Sequence, residues 1–368
     1  MRRLPVPTSP QPRGVAPKGR ARITRGIVVL VLVLAGVLWS GPLVAHAKAV
    51  LLISQVLPQV PVKPLDLLTN APVHTRLTLA SSYGPVVADL FRPVPRFGGI
   101  GAHTEPAILL VMGVKAQESD RKLLLSFAQT LSRLGYVVMW SRLRALDQGS
   151  DMPEKPETVV VSVRYLKGLT TVAARRISIV GFSVGGSLGF VAATDPRIGA
   201  DVHALVFFGG FYDIDDYLVS LATHTSTFHG KTMAWRPDPQ AVGYVKKLLQ
   251  TARAWDVARI FGVRTRAQAE AILRAAPAHE LAALRALSPS LRLKEFRTPI
   301  FILHAAGDAF VPYVQSVKLD QALPPRLVKA YLISDLFNHT HPKDIISLDA
   351  LQGALKLYGF LYDALGYL

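Results

Sequence analysis

Apolar runs of strand length alternate with stretches of helical periodicity along most of this chain, and that alternation limits the fold more than any other feature. Residues 107–112 form one such run, followed by a predicted helix over 120–134 with Leu124, Phe127, Leu131 and Leu134 on one face, and then a second run over 136–140. The rhythm resumes with a helix over 157–166, a strand over 177–180, a helix after Val184, and strands over 204–208, 300–304 and 328–333. Strands that are apolar throughout, rather than alternating, must be covered on both faces, so the pattern predicts a mostly parallel sheet between two helical layers. Ahead of it, the Pro-rich region 61–101 holds two shorter runs, 75–80 and 85–91, that predict an opening antiparallel hairpin. The long gap between Phe208 and Ile300 breaks the rhythm with helix-like stretches over 241–254 and 267–287. Residues 213–289 therefore read as an inserted helical cap, placed over the carboxyl ends of the strands where ligands bind in open α/β folds. The domain as a whole spans 61–368.

A different kind of segment precedes it. Arg2, Arg3, Arg13, Lys18, Arg20, Arg22 and Arg25 lie in a Pro- and Gly-containing tail, 1–26, that has no acidic residue. Residues 27–39 are almost uninterruptedly apolar, more uniformly so than a helix of a soluble core needs to be. Extended to Ala47 the run approaches the roughly 20 residues that span a bilayer. Ala45-His46-Ala47 also has the small-x-small form of a signal-peptide cleavage site. Residues 27–47 are thus expected to be either a cleaved signal peptide or a retained anchor. In both cases the basic flank keeps the N-terminus on the cytoplasmic side and the remainder is exported, with the membrane as a partner of the N-terminal segment.

The formal net charge of +17 raises the question of nucleic acid, but much of the charge sits in that tail and the rest is spread through predicted helices. No basic face is evident, and nucleic acid is not an expected partner. The chain has no cysteine, which excludes disulfides, thiolate metal sites and a cysteine nucleophile. Its histidines show no metal-ligand spacing and no phosphate-binding G-x-x-x-x-G-K loop occurs, so neither a metal nor another cofactor is expected.

The chemistry is signalled by Gly181, Phe182, Ser183, Val184 and Gly185, a G-x-S-x-G sequence between the strand-like 177–180 and a helix that starts at once. A strand, a sharp turn and a helix is the arrangement that presents a serine nucleophile at a helix N-terminus, where the amides favour developing negative charge. Side chains larger than hydrogen two residues before and after Ser183 would collide with the neighbouring strand and helix.

With this motif in place the region from about Thr75 to the C-terminus resembles the α/β-hydrolase superfamily, in particular its dienelactone-hydrolase and acyl-esterase-like branches. The resemblance implies an acid after a later strand and a histidine after the last one. Residues 298–312 resemble the family's strand and its G-x-D-x-x-V-P acid loop, which makes Asp308 the matching position. The last strand leads into Asp335, Leu336, Phe337, Asn338, His339, Thr340, His341 and Pro342. His339 is the expected base because it is nearer the strand end, with His341 as the alternative. Asp213 or Asp215 is a second, less favoured acid, and Asp335 reads as a loop residue. For the oxyanion hole the resemblance implies the amide of Val184 and, from the loop after the strand 107–112, that of Val114. Many relatives carry His-Gly in that loop, whereas this chain has Met112-Gly113. His224, His229 and Trp235 are further candidates for a pocket wall in the cap.

The expected activity is hydrolysis of a small-molecule carboxylic ester through an acyl-enzyme on Ser183. Peptide or amide hydrolysis by the same triad, and a membrane-tethered binding protein that retains the fold without the chemistry, are the alternatives.

Overall fold

The computed structural model describes residues 43–56, 63–94, 104–113, 118–142, 156–342 and 348–368. The basic tail and the apolar run 27–42 lie outside them. Among the described residues no helix is long and apolar enough to cross a membrane. Two units can be separated, Met1–His46 and Ala47–Leu368, and the second holds the whole sheet.

Helix α1 (Leu43–Val56), which contains Ala45-His46-Ala47, and the short α2 (Pro64–Leu68) precede the hairpin β1 (Val73–Leu79) and β2 (Val86–Arg92). Then follow β3 (Glu105–Val111), α3 (Glu118–Arg133), β4 (Val137–Ser141), α4 (Glu157–Lys167), β5 (Val172–Phe182), α5 (Val184–Ala192) and β6 (Val202–Phe208). The strands join β9 (Ile300–Ala305) and β10 (Val328–Ser334) in one eight-stranded sheet of order β1-β2-β4-β3-β5-β6-β9-β10. β2 runs antiparallel to its neighbours β1 and β4, and every pairing from β4 to β10 is parallel.

Period-2 alternation divides these strands between two cores. Leu109, Met139, Ile179, Leu205 and Ile302 face one apolar cluster, filled from α4, α5 and the insertion. Ile108, Val138, Val180, Val206 and Phe301 face the other, filled from α1, α3 and the final helix. Each fully buried Leu or Ile contributes roughly 1.5–3 kcal/mol relative to exposure, so continuous apolar strands are what a two-sided sheet requires. The edge strand β1 instead alternates exposed and half-buried residues.

Between β6 and β9 lie α6 (Ile214–Thr223), the hairpin β7 (Thr225–Phe228) and β8 (Lys231–Ala234), α7 (Pro239–Thr251), α8 (Trp255–Ala258), α9 (Arg266–Ala275) and α10 (Ala278–Arg285). The single helix read over 267–287 is two helices, because Ala276 before Pro277 is extended (ψ 143°) as a pre-proline residue prefers. The β7–β8 hairpin lies within the stretch expected to be wholly helical. Its loop is His229-Gly230, both at positive φ, the geometry a two-residue hairpin favours, but histidine is not the residue usually found there. After β9 come α11 (Val314–Ala322), β10, a two-by-two-residue hairpin of β11 (Phe337–Asn338) and β12 (His341–Pro342), and α12 (Leu348–Tyr367).

Candidate active site

β5 runs out of the sheet into α5 with a single residue, Ser183, between them at φ 54° and ψ −133°. The turn is held by the Ser183 amide, which donates to the Phe208 carbonyl at 2.7 Å, and by the Gly186 amide, which donates to the Ser183 carbonyl at 2.8 Å. The two glycines of the motif are a steric requirement. A β-carbon at Gly181 would overlap the Gly185 carbonyl oxygen, and one at Gly185 would overlap that of Val111. Positive φ in a residue with a side chain costs of order 1–3 kcal/mol, and here the surrounding bonds impose it.

Asp308 follows β9 and is buried. One carboxylate oxygen, Oδ1, accepts the amides of Phe310 (2.7 Å) and Val311 (2.9 Å). The other, Oδ2, accepts the Nδ1 proton of His339 at 2.6 Å. Burial alone would raise the pKa of this carboxyl. The charge of His339, hydrogen bonds from His304 and His339, and the charge of His304 outweigh burial and hold it well below the usual carboxylate range.

His339 reaches Asp308 because of the β11–β12 hairpin. It occupies the first turn position, at φ 54°, so its ring is turned inward and lies 4.9 Å from the Phe310 ring in a near-parallel stack. His341, on the returning strand and exposed, lies on the rim of the cleft. Asp213 is committed elsewhere, capping α6 through Asp216 N and accepting the Ser290 hydroxyl at 2.6 Å. Asp215 pairs with Arg285 at 2.7 Å, and Asp335 is exposed in a turn.

Ser183, Val184, Gly113 and His339 line one cleft of about 400 Å³, whose other wall is the insertion, with Tyr217, Tyr244, Leu248 and Leu284. Val184 is the first residue of α5, where backbone N–H groups have no partner within the helix. Gly113 stands directly against it. A β-carbon there would lie 2.7 Å from Ser183 Cβ and 3.0 Å from both Ser183 Oγ and the Val184 nitrogen. Val114 lies outside the described residues.

Two parts of the site were not assigned from sequence. His304, fully buried at the end of β9, has Nε2 3.0 Å from the Val311 carbonyl and 3.3 Å from Asp308 Oδ2. The carbonyl can only accept, so Nε2 carries a proton, and Nδ1 lies 2.6 Å from the Ser316 hydroxyl. A histidine in an otherwise apolar strand, four residues before the acid, is the available signal. The insertion also straps the acid loop. Trp235 Nε1 donates to Asp308 O (2.8 Å), the Asp238 amide to Ala309 O (2.7 Å) and the Tyr217 hydroxyl to Phe310 O (2.9 Å). Trp235 therefore supports the acid loop and is not among the residues lining the cleft. His224 caps the C-terminus of α6 and His229 turns the β7–β8 hairpin, both away from the cleft walls. Among the described residues no cluster of side chains could hold a metal ion.

The sheet order, with a strained serine between its central strand and a buried helix, defines a hydrolase of the α/β-hydrolase fold. The model of the BD-FAE family matches residues 102–323, more than half of the chain. The chain belongs to that family. No curated protein sequence matches it. A candidate dipeptidyl aminopeptidase IV from Bacteroides ovatus superposes with a TM-score of 0.52 at 15% identity, over 79% of this chain and 36% of that one. Porphyromonas gingivalis dipeptidyl peptidase 4 does so with a TM-score of 0.50 at 13% identity, over 80% and 36%. A 2,6-dihydroxy-pseudo-oxynicotine hydrolase aligns at 17% identity over 80% of this chain and 68% of that one, with a TM-score of 0.49. This chain thus spans about a third of the length of the two peptidases, and the likeness to them is one of fold.

Proposed function

We propose that the protein is a serine hydrolase of carboxylic esters, with Ser183 as nucleophile, His339 as general base and acid, and Asp308 as the residue that orients His339. The observation that carries this reading is the 2.6 Å bond from His339 Nδ1 to a buried Asp308, in the same cleft as a serine at a strained strand-to-helix turn. With Nδ1–H held by Asp308, Nε2 is the nitrogen left to take a proton.

In the proposed reaction Ser183 Oγ attacks the ester carbonyl as its proton passes to His339 Nε2. The negative charge that develops on the carbonyl oxygen is met by the Val184 amide at the helix N-terminus. Collapse breaks the bond to the alcohol oxygen, which leaves with the proton from His339. Water then attacks the acyl-enzyme, giving one proton to His339, and Ser183 recovers it as the acid departs. The anionic Asp308 stabilises the imidazolium formed at both stages.

A fluorophosphonate probe tests the reading. Wild-type protein should be labelled, and both Ser183→Ala and His339→Ala should lose the label. A folded wild type that takes no label would replace this reading with a non-catalytic one. Labelling that survives His339→Ala would move the base to His341. Turnover of aminoacyl amides at rates matching those of acyl esters would favour the peptidase alternative, since the same triad serves both.

Gly113→Ala should depress kcat for activated esters about 100-fold or more, the usual effect of losing one oxyanion donor. The added methyl would push on Ser183 and stand in front of the Val184 amide. Steady-state kinetics on the folded variant checks this, and an unchanged kcat would remove Val184 from the oxyanion role.

A further inference from the structure

Behind the cleft lies a second cavity, of about 180 Å³, between α1, α3, α12 and the carboxyl ends of the strands. Four residues, Met112, Phe182, Thr340 and His341, line both spaces. The partition is therefore one side chain thick and is made by the immediate neighbours of the reacting groups. Met112 precedes Gly113, Phe182 precedes Ser183, and Thr340 follows His339. The Phe182 ring rests against Phe127 (5.9 Å) and Phe208 (5.8 Å) on the cavity side.

From this arrangement we infer that the second cavity receives the acyl chain of the substrate, and that the chain is an unbranched aliphatic one of medium length. This deepens the ester-hydrolase reading and rests on it. The walls are overwhelmingly aliphatic and aromatic, and Thr130 commits its hydroxyl to the Ser126 carbonyl at 2.8 Å. The remaining polar members of the lining are Gln55, at the α1 side, with an amide oxygen buried without a partner, and Ser126, Thr340 and His341. Leu123 contributes apolar surface that is 41% exposed and that an aliphatic chain would cover. A cavity near 150 Å³ admits benzene, so this one takes roughly six to eight carbons. The acyl side is favoured because the acyl carbon remains bonded to Ser183 Oγ beside Met112 and Phe182. The alcohol instead leaves into the wider cleft under the insertion.

The test uses two ester series on the purified protein. In p-nitrophenyl esters from acetate to palmitate, where only the acyl chain changes, kcat/KM should rise roughly fourfold per methylene up to about eight carbons and then level or fall. In acetate esters of ethanol to octanol, where only the alcohol changes, it should stay nearly flat. Leu361→Trp, which fills the cavity from α12, should lower the ratio of octanoate to acetate kcat/KM by at least tenfold, and the smaller Leu361→Phe should lower it less. A wild type that prefers acetate or shows no acyl-length dependence overturns the inference. So does a length dependence confined to the alcohol series, or a folded Leu361→Trp with an unchanged ratio. In each of these cases Ser183 chemistry still stands. A wild type that cleaves no ester of either series overturns the underlying reading and this one with it. If Leu361→Trp does not fold, the wild-type series and Leu361→Phe decide.

Discussion

Replacing Ser183 with glycine should abolish ester turnover and at the same time make the protein harder to melt. The loss of rate is expected to be roughly 10⁴-fold or more, the range over which removal of a serine nucleophile leaves only the contribution of binding and the oxyanion hole. The gain in stability has a separate cause. Ser183 sits at φ 54° and ψ −133°, where a β-carbon is in conflict with its own backbone and glycine is not. Relief of that conflict is worth of order 1–3 kcal/mol, reduced by the greater freedom glycine has in the unfolded chain. The expected net gain is about 1 kcal/mol, or roughly 2 °C in Tm for a domain of this size. Ser183→Ala is the control, because it removes the same hydroxyl and retains the β-carbon. Calorimetry should show Ser183→Gly melting above Ser183→Ala while neither turns over substrate. Equal Tm values for the two would mean that the turn stores no strain.

The second large effect is expected from Asp308→Asn, which should lower kcat by about 10³- to 10⁴-fold with little change in KM. Oδ1 accepts two backbone amides and Oδ2 accepts His339 Nδ1–H and lies near His304 Nε2–H, so every close partner of this carboxylate is a donor. An amide group turned toward His339 would oppose one donor with another and push the ring toward the other tautomer. His339 would then offer Ser183 a proton instead of a lone pair. The same substitution should alter the dependence of stability on pH. The Asp308 carboxyl titrates below its unfolded value of about 4, so its ionisation stabilises the fold fully above that pH. This contribution is lost progressively as the pH falls from about 4 toward the folded-state value. Denaturant melts of wild type between pH 7 and pH 3 should therefore weaken more steeply than those of Asp308→Asn. Parallel curves would mean that the carboxyl is not held ionised by its neighbours.

Much of the architecture was legible in the chain because burial on both faces of a parallel sheet leaves a direct mark on composition. β3, β4 and β9 are apolar at nearly every position, and the helices beside them carry a 3.6-residue stripe, so strand and helix are told apart locally. The elbow was legible for a steric reason, since only glycine fits at 181 and 185 when β5 turns into α5. Asp308 was found through a loop whose residues resemble a family's, and not through any property of an isolated aspartate.

What the linear chain left open depended on contacts between residues far apart. The choice between His339 and His341 turns on a hairpin only two residues long on each side, too short to leave a periodic signal, and on Phe310 and Asp308 being there to receive the ring. His304 reads as one more residue of a buried strand until β9, α11 and the acid loop close around it. Trp235 and Tyr217 belong to the insertion by sequence and to the acid loop by hydrogen bonding, across 73 and 93 residues of chain. The chain by itself determined the main strands and helices of the sheet, its covering by helices on both faces and the position of the serine, because these follow from burial and sterics within short stretches. Which histidine meets the acid, what steadies the acid and what adjoins the cleft were decided by tertiary structure alone, because each requires groups that only the folded chain brings together.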